Sequence, residues 1–224
     1  MTPTKTRPTA VPLSRVRTRT RALLIDAALV LFRDRRMRVP AIHEIAAHAG
    51  VATGTFYNYF RTREELLEAA IIEGAERLQN DIVTSYTPVA DPAERVSIGT
   101  RRFILRAKTE PIWAAGLLRV WSSNPGLLTR MLKPTLASLR TGRRQGRFTY
   151  RSEDSAADLC VGPVAAGMRR VIDDGVDAEQ HGRAVAALVL RGLGIRAAEA
   201  DAIADRPLPP VPDVPQRKDR RTGR

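Results

Sequence analysis

Apolar residues recur every three to four positions along most of this 224-residue chain, and proline, glycine and aspartate interrupt them repeatedly. The first such segment carries the apolar set Leu24, Ala27, Ala28, Leu31 and Phe32. That spacing is typical of a helix that buries one face against a core. Comparable segments follow one another to about residue 204. The sequence therefore predicts an all-α protein of nine or ten helices.

Individual residues mark where the first helices begin and end. The first helix is expected from about Thr18 to near residues 36–38, because Pro40 disfavours a helical residue before it. Gly50 ends a short second helix, as a glycine just past a helix commonly does. A T-x-x-E capping box, Thr62 with Glu65, opens a long helix that continues towards Tyr86.

The second part of the chain has the same punctuation. Helices are expected to open at Asp91-Pro92, Pro111 and Asn124-Pro125, where a proline occupies the first helical position. Two long helices follow over residues 155–172 and 177–193, and a short one over 195–204. The last segment, 206–224, is rich in proline and basic residues and is predicted to be an extended or disordered tail.

The net charge of +13 is concentrated at the two ends of the chain. Residues 1–38 hold ten basic and two acidic residues, residues 206–224 hold six and two, and the intervening body is almost neutral. Basic ends on a near-neutral body indicate electrostatic arms beside a domain with another task. We assign residues 1–17 to a disordered basic arm.

Several classes of protein are disfavoured by the same composition. No apolar run has the length of a membrane span, and no secretory leader is evident, so we expect a cytoplasmic protein with no membrane partner. The single cysteine, Cys160, fits a reducing compartment. His43 and His48 are five residues apart and lie on different helix faces, so no metal site is expected. No catalytic set is recognised, and no cofactor is expected.

The stretch GVATGTFYNYF, residues 50–60, has the composition of a β-strand yet follows a short helix and a glycine turn. Two short helices joined in this way form a helix-turn-helix unit, whose second helix lies in the DNA major groove. On a helical wheel Val51, Phe56 and Phe60 share a face suited to packing on the first two helices. The opposite face carries Thr53, Gly54, Tyr57 and Asn58.

That second face has the chemistry of a surface that reads DNA. Thr and Asn hydrogen-bond base edges, a threonine methyl contacts thymine, and tyrosine hydroxyls reach phosphates. The missing side chain of Gly54 lets the backbone approach a duplex closely. Thr55 and Tyr59 flank the face, and Arg63, at the start of the next helix, adds attraction to phosphate.

Residues 24–32, the run HEIAAHAGVATGTFYNYF at 43–60 and REEL at 63–66 together resemble the DNA-binding domain of the tetracycline-repressor (TetR) family of bacterial transcription regulators. The resemblance covers about residues 18–67. It implies a helix-turn-helix domain there and a helical ligand-binding and dimerisation domain over 68–205. It also implies a homodimer on a palindromic double-stranded DNA operator, released by a small molecule.

The resemblance also assigns roles to residues. The following are implied to face DNA or its backbone: Thr53, Gly54, Thr55, Tyr57, Asn58, Tyr59 and Arg63. The sequence departs from the family pattern at Ala41 and Ala52, where a serine or threonine usually caps the two helices of the motif. It departs again at Arg36-Met37, which replace the usual glycine and aromatic residue. A missing cap typically costs about 1 kcal/mol.

The second domain offers a pocket and a dimer interface. A largely apolar cavity is expected to be lined by Phe103, Trp113, Leu117, Trp121, Met131, Leu132, Leu136 and Met168. The helices near 155–172 and 177–193 are rich in small residues and are expected to form a four-helix interface with a second copy. Pro163 is expected to kink the first of them.

The sequence thus predicts a ligand-responsive DNA-binding transcription regulator, more readily a repressor than an activator. Two alternatives remain open at this point. One is a sequence-nonspecific architectural DNA-binding protein that uses only its basic ends. The other is an enzyme built on the helical domain.

Overall fold

The computed structural model describes residues 13–32 and 39–211, and all of the regular structure in those ranges is helical. The elements, in chain order, are α1 (Leu13–Leu31), α2 (Ile42–His48), α3 (Thr53–Phe56), α4 (Arg63–Ser85), α5 (Pro92–Thr109), α6 (Pro111–Ser123), α7 (Pro125–Arg144), α8 (Glu153–Asp174), α9 (Ala178–Gly192) and α10 (Ala197–Ala204). The predicted all-α fold is confirmed.

The chain divides into two compact units, Met1–Ala70 and Ile71–Arg224. In the first unit, α2 packs against both α1 and α3. Its core consists of apolar side chains with at most 3% exposure: Leu24, Ile25, Ala27, Ala28, Phe32, Ile45, Ala46, Phe56, Phe60, Leu66 and Ala70. The predicted buried face of α1 is confirmed, except that Leu31 is only half-buried.

The first helix begins earlier than predicted. It starts at Leu13 instead of Thr18, so residues 13–17 of the segment assigned to a disordered arm are helical. The sequence contains no proline or glycine between Leu13 and Val39, and arginine, which is frequent here, is a good helix former. The predicted end near residues 36–38, with Arg36-Met37, lies outside the described residues, as do residues 1–12.

Four helices of the second unit, α5, α7, α8 and α9, begin within two residues of the predicted positions, because polar side chains cap them. The Asp91 carboxylate accepts a hydrogen bond from the Ala93 N–H at 2.9 Å, and the Asn124 side chain accepts one from the Leu127 N–H at 3.0 Å. Ser152 and Asp177 cap α8 and α9 in the same way. Each satisfies a backbone donor that the first helical turn leaves free.

Helix α5 lies at the centre of the second unit, where it packs against α6, α7, α8, α9 and α10. Two glycines allow close approach to it. A Cβ on Gly167 of α8 would stand 2.7 Å from the Ile104 side chain, and one on Gly182 of α9 would stand 3.6 Å from the Arg101 Cα. Small residues in α8 and α9 therefore also allow close packing within the subunit, in addition to any role in the predicted dimer interface.

The segment after α10 has no regular secondary structure over residues 206–211, and hydrogen bonds hold it against α5. The buried Arg101 donates to the Arg206 carbonyl oxygen at 2.6 Å, and Arg102 donates to the Pro209 carbonyl. The Arg206 side chain pairs with Glu94. Proline removes backbone donors but leaves carbonyl acceptors, which the two arginines of α5 use. Residues 212–224 lie outside the described residues.

Within residues 13–32 and 39–211, none of the helices combines the length and the apolar character needed to cross a membrane.

Candidate nucleic-acid interface and ligand cavity

Helix α3 is a single turn that starts without a side-chain cap. Its N-cap residue, Ala52, has extended backbone angles (φ −68°, ψ 147°) and, as an alanine, offers no acceptor. Beyond Phe56 the chain continues as turns. The Asn58 N–H donates to the Thr55 carbonyl at 3.2 Å, and the Tyr59 N–H donates to the Phe56 carbonyl at 2.9 Å. The Thr55 N–H donates to the Ala52 carbonyl at 2.9 Å and the Phe60 N–H to the Phe56 carbonyl at 3.1 Å, so backbone bonds, and no side-chain cap, hold this segment locally.

Two phenylalanines hold this short helix in place. Phe56 and Phe60 are buried, and their ring centroids lie 5.9 Å apart. The Arg21 guanidinium of α1 lies over the Phe60 ring at 5.2 Å. The predicted packing role of both phenylalanines is confirmed, whereas Val51 is only half-buried. Burial of an aromatic ring contributes far more than one capping bond.

The opposite face of α3 and the following turn is solvent-exposed. Thr53, Gly54, Tyr57 and Asn58 are exposed there, and Tyr57 retains 58% of its accessible surface. The Phe56 and Tyr57 rings meet edge to face at 5.2 Å, which fixes the direction of the exposed ring. Thr55 and Tyr59 are half-buried beside this face.

Among the residues that the structure describes, nothing requires a glycine at Gly54. A Cβ there would meet none of their atoms within 4 Å, and the backbone does not occupy the left-handed region. Glycine nevertheless costs roughly 1 kcal/mol against alanine in a helix interior. A glycine that destabilises its helix and relieves no internal contact fits a close approach by an external surface.

The start of α4 completes the polar surface. Thr62 accepts a hydrogen bond from the Glu65 N–H at 3.1 Å, as the predicted capping box requires. The Glu65 carboxylate accepts from the Arg61 N–H at 2.7 Å, one residue before the expected donor. Arg63 is partly exposed and pairs with the Glu64 carboxylate at 3.1 Å.

The Arg63–Glu64 pair lowers the electrostatic potential available to a phosphate at this helix end. The Glu64 backbone N–H and then the Arg63 guanidinium hold the pKa of the Glu64 carboxyl below its usual value. The carboxylate therefore stays ionised near neutral pH beside the arginine. Two acids in the first turn of α4 complement the helix dipole but repel a phosphate.

Ala41, at the start of α2, also lacks a capping hydroxyl, and a side chain from within α2 bonds to its backbone instead. The Glu44 carboxylate accepts a hydrogen bond from the Ala41 N–H at 2.8 Å. This is the reciprocal half of a capping box without its hydroxyl half. The histidines of α2 are both exposed. Among the described residues, no group of three or more histidine, cysteine or acidic side chains is placed to hold a metal ion.

The second unit contains a cavity of about 630 Å³, counted with its open mouth. Its lining comes from α4, α5, α6, α7 and α8: Gln79, Ile82, Tyr86, Arg95, Val96, Gly99, Thr100, Phe103, Trp121, Leu128, Met131, Leu132, Thr135, Ser138, Cys160, Val161 and Val164.

Aromatic rings form one part of the cavity wall. The Phe103 and Trp121 rings lie 6.0 Å apart at 50°, and the Trp121 indole N–H donates to the Met131 sulfur at 3.4 Å. Tyr86 is buried, and that burial raises the pKa of its hydroxyl, which stays neutral. Arg95 stacks on the Tyr86 ring at 5.8 Å and donates through Nε to the Val89 carbonyl at 2.7 Å.

Four of the eight residues predicted for the cavity line it: Phe103, Trp121, Met131 and Leu132. Trp113, Leu117 and Met168 do not line it and are fully buried in the core, and the half-buried Leu136 does not line it either. Hydrophobic size alone does not separate core from cavity wall. The contribution of α4 was missed, although Gln79, Ile82 and Tyr86 recur at helical spacing.

Cys160 lies in the cavity wall as a protonated thiol. Burial raises its pKa to about 12, so very little thiolate exists near pH 7. Because the thiolate is the reactive form, this cysteine is chemically inert in the folded protein.

The outward surfaces of α8 and α9 carry small and apolar residues. Gly162, Ala166 and Ala184 are exposed, and Leu188 retains 61% of its accessible surface. Leu188 is the most exposed large hydrophobic residue of the described chain. An exposed leucine among small residues on adjacent helices is typical of a surface that packs against another helix pair.

Two family models match the sequence. Residues 24–70 match the model for bacterial regulatory proteins of the tetR family, and residues 91–206 match that for a tetracyclin repressor-like C-terminal domain. The second match alone spans more than half of the chain. The first ends at Ala70, which is also the last residue of the first compact unit.

Similar proteins of known structure include RolR, whose crystal structure with resorcinol has a TM-score of 0.72 to this chain at 33% identity. That match covers 88% of this chain and 99% of RolR. RolR without ligand matches with a TM-score of 0.68. The structure of FadR from Bacillus subtilis, at 20% identity and a TM-score of 0.58, shares the fold.

The curated relatives match this chain over less than half of their own length. BetI of Rhizobium meliloti is 38% identical over 77 residues, which is 34% of this chain and 38% of BetI. An uncharacterized helix-turn-helix regulator of Mycobacterium tuberculosis is 34% identical over 92 residues, 41% of this chain and 46% of that protein. The chain thus spans less than half the length of these curated relatives.

Proposed function

Because the chain belongs to the TetR family of bacterial transcription regulators, we propose that it is a repressor that binds a palindromic operator as a homodimer and leaves it when a small molecule occupies the cavity. The observation that carries the proposal is the exposed polar face of α3 and the following turn, where Thr53, Gly54, Tyr57 and Asn58 lie opposite the buried phenylalanines.

On DNA, the residues of this face divide by chemistry. Thr53 and Asn58 hydrogen-bond base edges, and the backbone at Gly54 lies close to the duplex. Tyr57 and Tyr59 reach phosphates with their hydroxyls, Thr55 lies at the border, and the Arg63 guanidinium approaches the backbone. Basic residues of the N-terminal segment add attraction that does not depend on sequence.

The homodimer is proposed to form through α8 and α9. Leu188 and the exposed Ala184 of α9, with Gly162 and Ala166 of α8, present an apolar surface to the same pair of helices in a second copy. A two-fold axis makes this surface self-complementary and sets two copies of α3 against two half-sites. A dimer of this kind reads a palindrome.

Helix α6 offers a route from the cavity to α4. Trp121 of α6 lines the cavity, while the Trp113 indole N–H donates to the Ile71 carbonyl of α4 at 3.1 Å. A Cβ on Gly116 would stand 2.4 Å from the Ile71 side chain, so α6 and α4 are in close contact at this point. A ligand that favours a different α6 position shifts α4 with it and changes the population that fits DNA.

The proposed ligand is small and largely apolar. The aromatic wall of Phe103 and Trp121 suits a ring, and the resorcinol found in RolR supplies a first candidate of that size. Because RolR is 33% identical over almost its whole length, resorcinol is the compound to test first.

The test is a gel-shift titration of the full-length protein on the DNA that flanks its own gene, against a scrambled duplex of equal length. We expect tight binding to the native duplex only. Tyr57→Ala is expected to weaken it roughly tenfold or more, and Tyr150→Ala, in the other unit, is expected to leave it unchanged. Equal binding to the scrambled duplex would instead indicate an architectural protein.

The regulatory half of the proposal has its own readout. Addition of resorcinol, or of another ring compound that binds the protein, is expected to release the native duplex in the same gel. Leu188→Arg is expected to yield monomers in analytical ultracentrifugation and to abolish high-affinity binding. A Tyr57→Ala protein that is folded and dimeric but binds as tightly as the wild type would refute the assignment of the DNA-binding face.

A further inference from the structure

Arg95 is the one ionisable basic side chain in the cavity wall, and no aspartate or glutamate is among the described residues that line it. The other polar groups of the wall are neutral: amide, hydroxyl and thiol. Burial keeps Tyr86 and Cys160 protonated by raising the pKa of each, so neither supplies a negative charge near pH 7. The cavity therefore presents a single positive charge inside a largely apolar wall.

The carboxylates nearest to Arg95 in sequence are engaged elsewhere. Arg147 donates two hydrogen bonds to Asp91, at 2.9 and 3.1 Å, and Arg206 pairs with Glu94. Among the contacts of the described residues, the Arg95 side chain uses Nε for the Val89 carbonyl and its plane for the Tyr86 ring. These contacts fix the guanidinium and leave its two terminal amino groups for another acceptor.

A fixed guanidinium with two parallel donors matches a carboxylate, which accepts both in a bidentate arrangement. Partial burial strengthens such a pair relative to water. The same charge disfavours a cation, and a neutral ring compound gains hydrogen bonds from the guanidinium but no attraction between opposite full charges. Beside it, Phe103 and Trp121 provide the apolar surface that the body of such a ligand requires.

We propose that the effector is a small aromatic carboxylate whose carboxyl group binds Arg95 and whose ring lies against Phe103 and Trp121. The inference rests on the proposed function, because the ligand is an effector only if the protein is a ligand-responsive regulator. It restricts the ligand to an anion. It makes Arg95 the residue that determines specificity for the acid over its neutral analogues.

The test uses matched acid and amide pairs, benzoate with benzamide and 2-naphthoate with 2-naphthamide, together with resorcinol. Binding to the full-length protein without DNA is measured by isothermal titration calorimetry. We expect at least one acid to bind at least tenfold more tightly than its amide. Arg95→Gln should weaken the binding of that acid by roughly 10- to 100-fold and leave the binding of the amide nearly unchanged.

Two further variants separate a binding role from a structural one. Arg95→Lys keeps the charge but loses the bidentate geometry, so it should restore only part of the acid affinity. Arg130→Gln removes an exposed arginine of α7 that pairs with Glu76 and does not line the cavity. This variant should therefore bind every ligand as the wild type does. Unfolding temperatures establish that each variant is folded.

The proposal is overturned if amides bind as tightly as acids, if Arg95→Gln leaves acid affinity unchanged, or if no acid of the set binds. Operator release is then measured separately by gel shift. If resorcinol binds and releases DNA regardless of Arg95, the regulatory function stands and the anion assignment fails. If an acid binds through Arg95 but DNA is not released, the assignment of the site stands and its regulatory role fails.

Discussion

Helices α3 and α5 represent two opposite ways to stabilise a helix. The four-residue α3 starts at Ala52 with no side-chain cap and depends on the burial of Phe56 and Phe60. The 18-residue α5 starts at a capping aspartate that two hydrogen bonds tie to Arg147, and five other helices pack around it. The side chains of α3 make few polar contacts within the protein, and those of α5 make many.

This difference in side-chain polar contacts depends on what each helix faces. The polar side chains of α3 face solvent, where an external partner can satisfy them, whereas the cap of α5 and its arginines Arg101 and Arg102 bond to groups within the protein. Regions that bind partners often have low local stability, because the groups that would stabilise them are reserved for the partner. We therefore expect α3 to be the less protected helix in the free protein.

The largest effect is expected from Phe56→Ala, which removes the anchor of α3. Loss of a fully buried phenylalanine costs about 3–5 kcal/mol, enough to unfold the first unit. Hydrogen exchange should show lost protection over residues 42–60 with little change in α5 and α9. Phe148→Ala, a buried phenylalanine of the second unit, is the matched control and should show the reverse. Unaltered protection over 42–60 would contradict the assigned anchor.

The next effect is expected from Asp91→Ala, which removes a cap and an ion pair together. Burial opposes ionisation of Asp91, but the Arg147 and Ala93 hydrogen bonds outweigh it and lower the pKa of the carboxyl. The loss should be about 2 kcal/mol at pH 7, of which the cap contributes about half. Asp177→Ala removes a cap with a longer and more exposed ion pair, so it should destabilise the protein less than Asp91→Ala does.

The pH dependence of Asp91→Ala gives a second readout. Because the pKa of Asp91 is lower in the folded state, its contribution is complete above the unfolded-state value of about 3.9 and disappears as the pH falls through the folded-state value. Urea unfolding at pH 7 and at a pH well below the unfolded-state value should therefore show a smaller difference in stability between the wild type and the variant in acid. A difference of the same size at both pH values would contradict the ionic part.

A smaller, stabilising effect is expected from Ala52→Ser, which supplies the absent cap of α3. A serine here accepts a backbone hydrogen bond and should stabilise the first unit by about 1 kcal/mol. Ala47→Ser places the same side chain inside α2, where serine is a poorer helix former, and should be neutral or slightly destabilising. The measurement is hydrogen exchange of residues 53–58. Equal protection of these residues in both variants would contradict the predicted stabilisation by a cap.

The smallest effect is expected from Glu64→Gln, which frees Arg63 from its neighbour. Removing one negative charge beside the proposed phosphate contact should tighten DNA binding roughly two- to fivefold at low salt and less at high salt. Glu68→Gln, one turn further along α4, should have a weaker effect. Gel shifts at two salt concentrations measure both, and weaker binding by Glu64→Gln would contradict the role of Arg63.

Local signals predicted much of this architecture because they act over a few residues. Asp91, Asn124 and Ser152 mark helix starts by bonds to backbone groups two or three residues away. Gly50 and Gly175 mark helix ends by left-handed backbone angles of 69° and 65° in φ. The burial of Phe56 and Phe60 followed from helical spacing.

Features that depend on distant residues were not predicted. Arg101 and Arg102 bind carbonyls more than 100 residues away, and only the folded chain brings residues 206–211 to them. Trp113 was predicted for the cavity, yet its indole is bonded to Ile71, 42 residues earlier. Arg95 was missed because nothing local distinguishes a cavity arginine from a surface one. Burial and partner identity are tertiary properties.

The two tryptophans of the chain give the protein a built-in pair of optical probes. Trp121 lies in the cavity wall beside Phe103, so its emission responds to occupancy, whereas Trp113 is fully buried and reports on the junction of α6 with α4. Replacing either by phenylalanine leaves a single emitter. Stopped-flow spectra of the two proteins would then give the order in which ligand entry and helix displacement occur, without any attached dye.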